Sequence, residues 1–119
     1  MAWEVEFTDE FGAWWNTLSE VEQDAIDAVV EILQEEGPGL RRPLVAPIEI
    51  SRHSNMKELI PPKGNLRVLF IFDPRRMAIL LIGGDKTGRW KQWYEHMVPI
   101  ADRLYDEHLE ELRREGELK

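Results

Sequence analysis

Two runs, "LRVLFIF" at residues 66–72 and "AILLI" at 78–82, decide what this chain can become. Each is almost continuously apolar and rich in branched side chains, with the turn word "DPRR" (73–76) between them. A strand with one face in water alternates apolar and polar residues; a run without alternation is covered on both faces. The pair therefore predicts two strands joined by a tight Asp-Pro turn, with cover on both sides. A chain of 119 residues forms one domain, so its own flanks must supply that cover.

The flanks are suited to it. "AWEVEF" (2–7) alternates Trp3, Val5 and Phe7 with Glu4 and Glu6, the period of a half-buried strand. Thr8 can cap a short helix carrying Phe11, Trp14 and Trp15 on one side. "SEVE" (19–22) has the Ser-x-x-Glu form of a capping box. It opens a longer helix with Val21, Ala25, Val29 and Ile32 or Leu33 on its apolar face, and Gly37-Pro38-Gly39 ends it. Beyond Leu40 the chain is punctuated by Pro43 and Pro47, with a short extended piece at 47–50. "MKELI" (56–60) and the turn "PPKGN" (61–65) form a hairpin with the first apolar run. A last helix starts near Arg89 and runs to about Arg114, kinked or broken at Pro99. The expected class is α+β: a small, mostly antiparallel sheet in the order β-α-α-β-β-β-α. An N-terminal helical hairpin lies on one face, a C-terminal helix completes it, and a single domain covers 1–119.

Composition then narrows the function classes. With no cysteine there is neither a disulfide framework nor a thiolate metal centre, and a reducing compartment is expected. The N-terminus carries acids where a secretory signal carries lysine or arginine, and no apolar stretch is long enough for a bilayer. A soluble, cytoplasmic protein without a membrane partner is the expectation. The net charge of -8 hides a division. Residues 1–36 hold 11 acids and no lysine or arginine; residues 37–91 hold 11 bases and 4 acids; residues 92–119 hold 4 bases and 8 acids. An electropositive middle between acidic flanks predicts a polyanion or another charged partner.

The common catalytic patterns do not fit. "GGDKT" (83–87) sets a lysine after glycines, but a phosphate loop needs four residues between its glycines and Ser or Thr directly after Gly-Lys. His53, His96 and His108 lie in separate segments without metal-ligand spacing, so neither metal nor cofactor is expected. No Gly-x-Ser-x-Gly elbow occurs. What remains is a set of cations, Arg52, Lys57, Arg67, Lys86, Arg89 and Lys91, interleaved at the end with Trp90, Trp93 and Tyr94. Arg67 is the most telling, because an unpaired charge buried in a strand costs several kcal/mol. It must lie in water, pair with Glu58 across the hairpin, or face a groove built for an anion. The five-residue turn leaves open whether Lys57 or Glu58 shares its face.

Metal-free RNA cleavage needs a base for the 2′-hydroxyl, cations over the phosphate and an acid for the leaving oxygen. Arg67, Lys86 and Arg89 suit the phosphate, and Lys57, Tyr94 or His96 can move protons. Arg52, His53, Lys91 and Trp90 are the candidate RNA contacts, the indole as a stacking surface.

"SRHSNMKELI", "LRVLFIFDPRR", "AILLIGGDKTGRWKQWY" and "PIADRLYDEHL" together resemble the RelE/ParE toxin superfamily, and within it the phage-derived HigB-like branch. The resemblance runs from about Trp3 to Leu112. It implies a small sheet flanked by helices and ribosome-dependent cleavage of messenger RNA. It also implies neutralisation by a cognate helix-turn-helix antitoxin, with operator DNA reached only through that partner. The family's third-strand arginine matches Arg67, and its acidic strand position matches Glu58 in "MKELI". Its phenylalanine-x-lysine-lysine-threonine motif corresponds to "GGDKT", with Lys86 at the second lysine, Asp85 at the first and glycine for phenylalanine. Three function classes follow: an endoribonuclease toxin, which is the expected one, a ParE-like gyrase inhibitor, or a degenerate toxin that keeps only antitoxin binding.

Overall fold

A computed structural model describes residues 2–117 of the chain; Met1, Leu118 and Lys119, which the single-domain reading includes, lie outside the described residues. The elements are β1 (Val5–Phe7), α1 (Asp9–Trp15), α2 (Glu20–Glu36), β2 (Val45–Pro47), β3 (Lys57–Leu59), β4 (Leu66–Phe72), β5 (Ala78–Asp85) and α3 (Trp90–Arg114). They form one sheet in the order β1-β5-β4-β3-β2, antiparallel except where β1 runs parallel to β5. The expected α+β class and element order hold, with one more strand: the extended piece pairs with β3 at Val45–Pro47, ahead of 47–50.

The two apolar runs occupy the centre, as their lack of alternation requires. Leu66, Val68, Phe70, Ala78 and Leu80 pack with Phe11, Ile26, Val29 and Leu33 beneath α1 and α2. Leu69, Ile71, Ile79 and Leu81 pack with Val98, Ala101 and Leu104 of α3 on the other face. Each of the buried Val, Leu, Ile and Phe side chains among these contributes on the order of 1.5–3 kcal/mol. Thr8 fastens the first layer: its hydroxyl accepts from the Phe11 amide at 3.0 Å and donates to the Leu81 carbonyl at 2.6 Å. Ser19 and Glu22 form the capping box that opens α2.

Two expectations change. Val21 is 78% exposed, because it sits about 110° around α2 from the centre of the buried stripe of Ile26, Val29 and Leu33. Pro99 does not break α3, which runs through it. The residue faces outward, so the carbonyl it leaves unpaired one turn earlier can turn to water.

One irregularity positions the chemistry. Leu69 pairs with Ile82 but Phe70 with Leu80, so Leu81 is an extra residue in β5, a β-bulge. Strict alternation from Ile79 would send Lys86 to the α1 side; the bulge returns Ile82, Gly84 and Lys86 to the α3 side. The two glycines that follow are covered from opposite faces, Gly83 by the Trp14 ring and Gly84 by the Trp93 indole.

Candidate functional site

At the end of the sheet under the first turns of α3, four elements bring charged and aromatic groups together. β3 supplies Glu58, β4 Arg67, the end of β5 Lys86, and α3 Trp90 and Tyr94. Register decides the first of these. Glu58 stands opposite Leu69, whose side chain faces α3, whereas Lys57 stands opposite Phe70 and faces α2. The open question of the hairpin thus resolves to Glu58.

Tyr94 Oη donates to Glu58 Oε1 at 2.6 Å, and Arg67 Nε lies 3.6 Å from the same oxygen. Arg67 Nη1 donates to the Leu66 carbonyl at 2.7 Å, while its buried Nε has no hydrogen-bond partner among the described residues. Lys86, only 6% exposed, points its ammonium at the Trp90 ring 3.9 Å from the centroid, with Tyr94 Oη at 3.5 Å. Trp90 itself is 58% exposed and so forms an outer cover over the lysine.

The electrostatics follow from burial. Burial lowers the Lys86 pKa from its ordinary value, the Arg67 charge adds to this, and Glu58 opposes it. Burial likewise raises the Tyr94 phenol, and its hydrogen bond to Glu58 raises it further, so Tyr94 stays protonated and donates. The cluster therefore holds a carboxylate able to accept a proton, an ammonium readier than usual to release one, and a guanidinium with an unused N–H. Glu58 is the residue that the reading of candidate groups left out; its place in "MKELI" was the available signal.

Among the described residues no side-chain hydrogen bond or ion pair joins the other candidates to this cluster. Lys57 Nζ donates to the Pro38 carbonyl at 3.2 Å on the opposite face. His96 is on the exposed side of α3, about 200° around the helix from Tyr94. Arg89 precedes α3 and is exposed. Lys91 reaches Glu95 at 3.7 Å on the helix surface. Arg52 and His53 are engaged by α3 further along: Arg52 Nη2 lies 2.5 Å and His53 Nε2 2.8 Å from Asp106. Buried Asp102 accepts from Ser51 Oγ and the Arg52 amide, which fixes that loop to the helix.

A mixed five-stranded sheet with a helical pair on one face and a long C-terminal helix on the other is the RelE fold. The structure superimposes on the RelE–RelB complex of Pyrococcus horikoshii with a TM-score of 0.59 at 18% identity, over 75% of this chain and 99% of that one. The RelBE2 toxin–antitoxin complex of Mycobacterium tuberculosis gives 0.55 at 15% identity, over 71% and 99%. Residues 13–106 match the family described as phage derived protein Gp49-like. Two Mycobacterium tuberculosis proteins are similar in sequence. One, named "Putative toxin HigB2", is 45% identical over 85% of this chain and 52% of its own length. The other, named "Putative toxin HigB3", is 46% identical over 76% of this chain and 79% of its own. The chain thus belongs to the Gp49-like, phage-derived family, is a relative of the HigB3 protein, and carries the RelE fold. It spans about half the length of the first of these relatives.

Proposed function

We propose that this chain acts in the cytoplasm as the toxin of a type II toxin–antitoxin pair, a single domain that cuts messenger RNA on the ribosome. The observation that carries the reading is the buried Arg67 Nε, without a hydrogen-bond partner among the described residues, 3.6 Å from Glu58 Oε1 and near enough to the buried Lys86 for the two charges to act on each other. Packing alone gives no reason to bury two cations at the end of an apolar sheet.

In this mechanism Glu58 takes the proton of the 2′-hydroxyl, and the freed oxygen attacks the adjacent phosphorus. The bond from phosphorus to the 5′-oxygen breaks, and that oxygen takes a proton from Lys86, whose pKa burial has lowered. Arg67 stabilises the charge on the phosphorane through its unused N–H. Tyr94 holds Glu58 in place, and the Trp90 indole leaves the lysine to stack on a base as the phosphate enters. The products are a 2′,3′-cyclic phosphate and a 5′-hydroxyl.

The partner is a helix-turn-helix antitoxin, through which alone operator DNA is reached. Its surface on this chain is the apolar groove of about 490 Å³ between β1, α1 and α2, floored by the buried Phe11, Ile26 and Leu80 with Phe7 and Trp15 at its edge. Apart from Leu80, the groove is lined by the segment that holds 11 acids and no lysine or arginine, which suits an apolar segment flanked by cations.

The test is induced expression with and without the reading frame encoded beside it, followed by mapping of transcript ends. New ends that appear on induction and vanish in Lys86→Met support the reading. Intact transcripts with accumulated gyrase–DNA breaks would replace it by gyrase inhibition, and unaffected growth by antitoxin binding alone.

A further inference from the structure

The candidate site uses only two of the cations that the middle of the chain gathers. Three others meet elsewhere. Arg41, Arg42 and Lys57 line an open groove of about 670 Å³ at the β2 edge of the sheet, walled by Pro38, Leu40 and Pro47. Among the described residues no carboxylate lines this groove, and neither arginine makes an ion pair. That sets them apart from Arg52, Arg75 and Lys91, each met by an acid. The Lys57 ammonium is held at the groove by the Pro38 carbonyl and lies 5.9 Å from the centre of the Phe72 ring, leaving donors for a ligand.

Three like charges side by side without a counter-charge repel one another, which is tolerable where an anion comes to sit among them. The walls are proline and aliphatic carbon, with nothing shaped to read a base edge. Such a groove grips charge and ignores sequence, as a sugar-phosphate backbone requires. Its position supplies the direction. Arg42 and Pro47 also line the adjoining groove of about 440 Å³, whose other side holds Lys91 and Tyr94. Glu49 and Glu95 share that second groove, so the grip belongs to the far end. A strand with one phosphate at Arg67 can therefore pass Tyr94 and Lys91 and reach Arg42, Arg41 and Lys57.

We propose that the Arg41–Arg42–Lys57 groove is a second binding site, for the backbone of single-stranded RNA, anchoring the strand whose scissile phosphate lies at Arg67. Its placement rests on the nuclease reading; its binding can be tested without it. The probe is a short RNA with every 2′-hydroxyl methylated, which cannot be cut, titrated by fluorescence anisotropy across a range of sodium chloride concentrations. The slope of log affinity on log salt is about 0.7 per phosphate neutralised on a single strand. The triple variant Arg41→Gln/Arg42→Gln/Lys57→Met should flatten that slope by about 2 and weaken binding at least about tenfold at low salt. The double variant Arg41→Gln/Arg42→Gln, confined to exposed residues, gives the same test should the triple unfold, flattening the slope by about 1.4. An unchanged slope overturns the proposal, as does a wild type without salt-dependent binding. Loss of antitoxin binding with RNA binding intact overturns it too, and assigns the groove to an acidic protein segment. If the variants lose the probe while the wild type cuts no transcript, the groove stands and the nuclease reading falls. A wild type that cuts, with slopes alike in all variants, gives the reverse.

Discussion

Arg67 and Gly84 are cross-strand partners in β4 and β5, and the space where Gly84 would carry a side chain is filled by the Trp93 indole. The missing side chain lets the first turn of α3 come down onto the sheet beside the arginine. Tyr94, the next residue, thereby reaches Glu58. A glycine opposite an arginine is in this way what seats the helix over the site.

A methyl group at Gly84 would stand 2.7 Å from Trp93 Nε1, and one at Gly83 would stand 2.2 Å from the Trp14 ring. Both Gly84→Ala and Gly83→Ala should lose about 1–3 kcal/mol to overpacking, read as a lower urea midpoint. They should differ in function. Gly84→Ala lifts Trp93 and Tyr94 and should abolish cleavage, whereas Gly83→Ala disturbs the opposite face and should retain it per folded molecule.

Arg67→Ala leaves the Glu58 carboxylate buried with the Tyr94 hydrogen bond and the more distant Lys86, but without its guanidinium. Removing one member of a buried pair costs about 3–5 kcal/mol. Arg67→Ala/Glu58→Gln should recover part of that stability, because the carboxylate that lost its guanidinium is no longer charged and Lys86 alone remains, yet should stay inactive. A double-mutant cycle in urea, run beside a cleavage assay, separates the two effects. Equal instability of single and double variants would show that the pair is not coupled.

Lys86 should titrate below the 10.5 of an ordinary lysine, because burial and Arg67 both disfavour its charge. Glu58→Gln removes the group that opposes them and should lower the midpoint further; Arg67→Gln should raise it. The side-chain carbon resonances of Lys86, followed by NMR against pH, give the order of the three proteins.

Asp73, in the β4–β5 turn, receives hydrogen bonds from His108 at 2.9 Å, from Arg75 and from the Met77 amide. Burial would raise its pKa, but these bonds and the Arg75 charge outweigh burial and hold it below the ordinary value. Its stabilising contribution is therefore complete above about pH 4, where an unfolded aspartate is ionised, and is lost as pH falls through the lower folded value. The thermal midpoint should hold steady from neutral pH to about 4 and drop below it. Asp73→Asn should start lower at pH 7 and show a shallower acid decline.

Phe7 is 64% exposed at the rim of the α1–α2 groove. Phe7→Glu should leave the thermal midpoint close to wild type and weaken antitoxin binding at least about tenfold, measured by calorimetric titration.

The sheet was readable because "LRVLFIF" and "AILLI" lack alternation, and β4 spans 66–72 as read. Arg67 was readable as an anomaly for the same reason. The rest depended on pairings that lie far apart along the chain. Arg52 and His53 look available until Asp106, more than fifty residues later, comes to meet them. Lys57 and Glu58 are neighbours in sequence and opposites in space, and the register of a three-residue strand decides between them. His96 and Tyr94 differ only by helix phase. The bulge left no trace at all, since an extra leucine in an apolar run changes no pattern.

That extra leucine bears on how this chain is to be compared with its kin. A relative without it would have a regular ladder and the equivalent lysine in the same recess, one position earlier along the strand. Counting residues from the apolar run would then assign the two lysines to opposite sides of the sheet. Spatial superposition of the strand ends would return them to one place, and so the chemistry of this branch is better traced by what touches the Glu58 carboxylate than by column number.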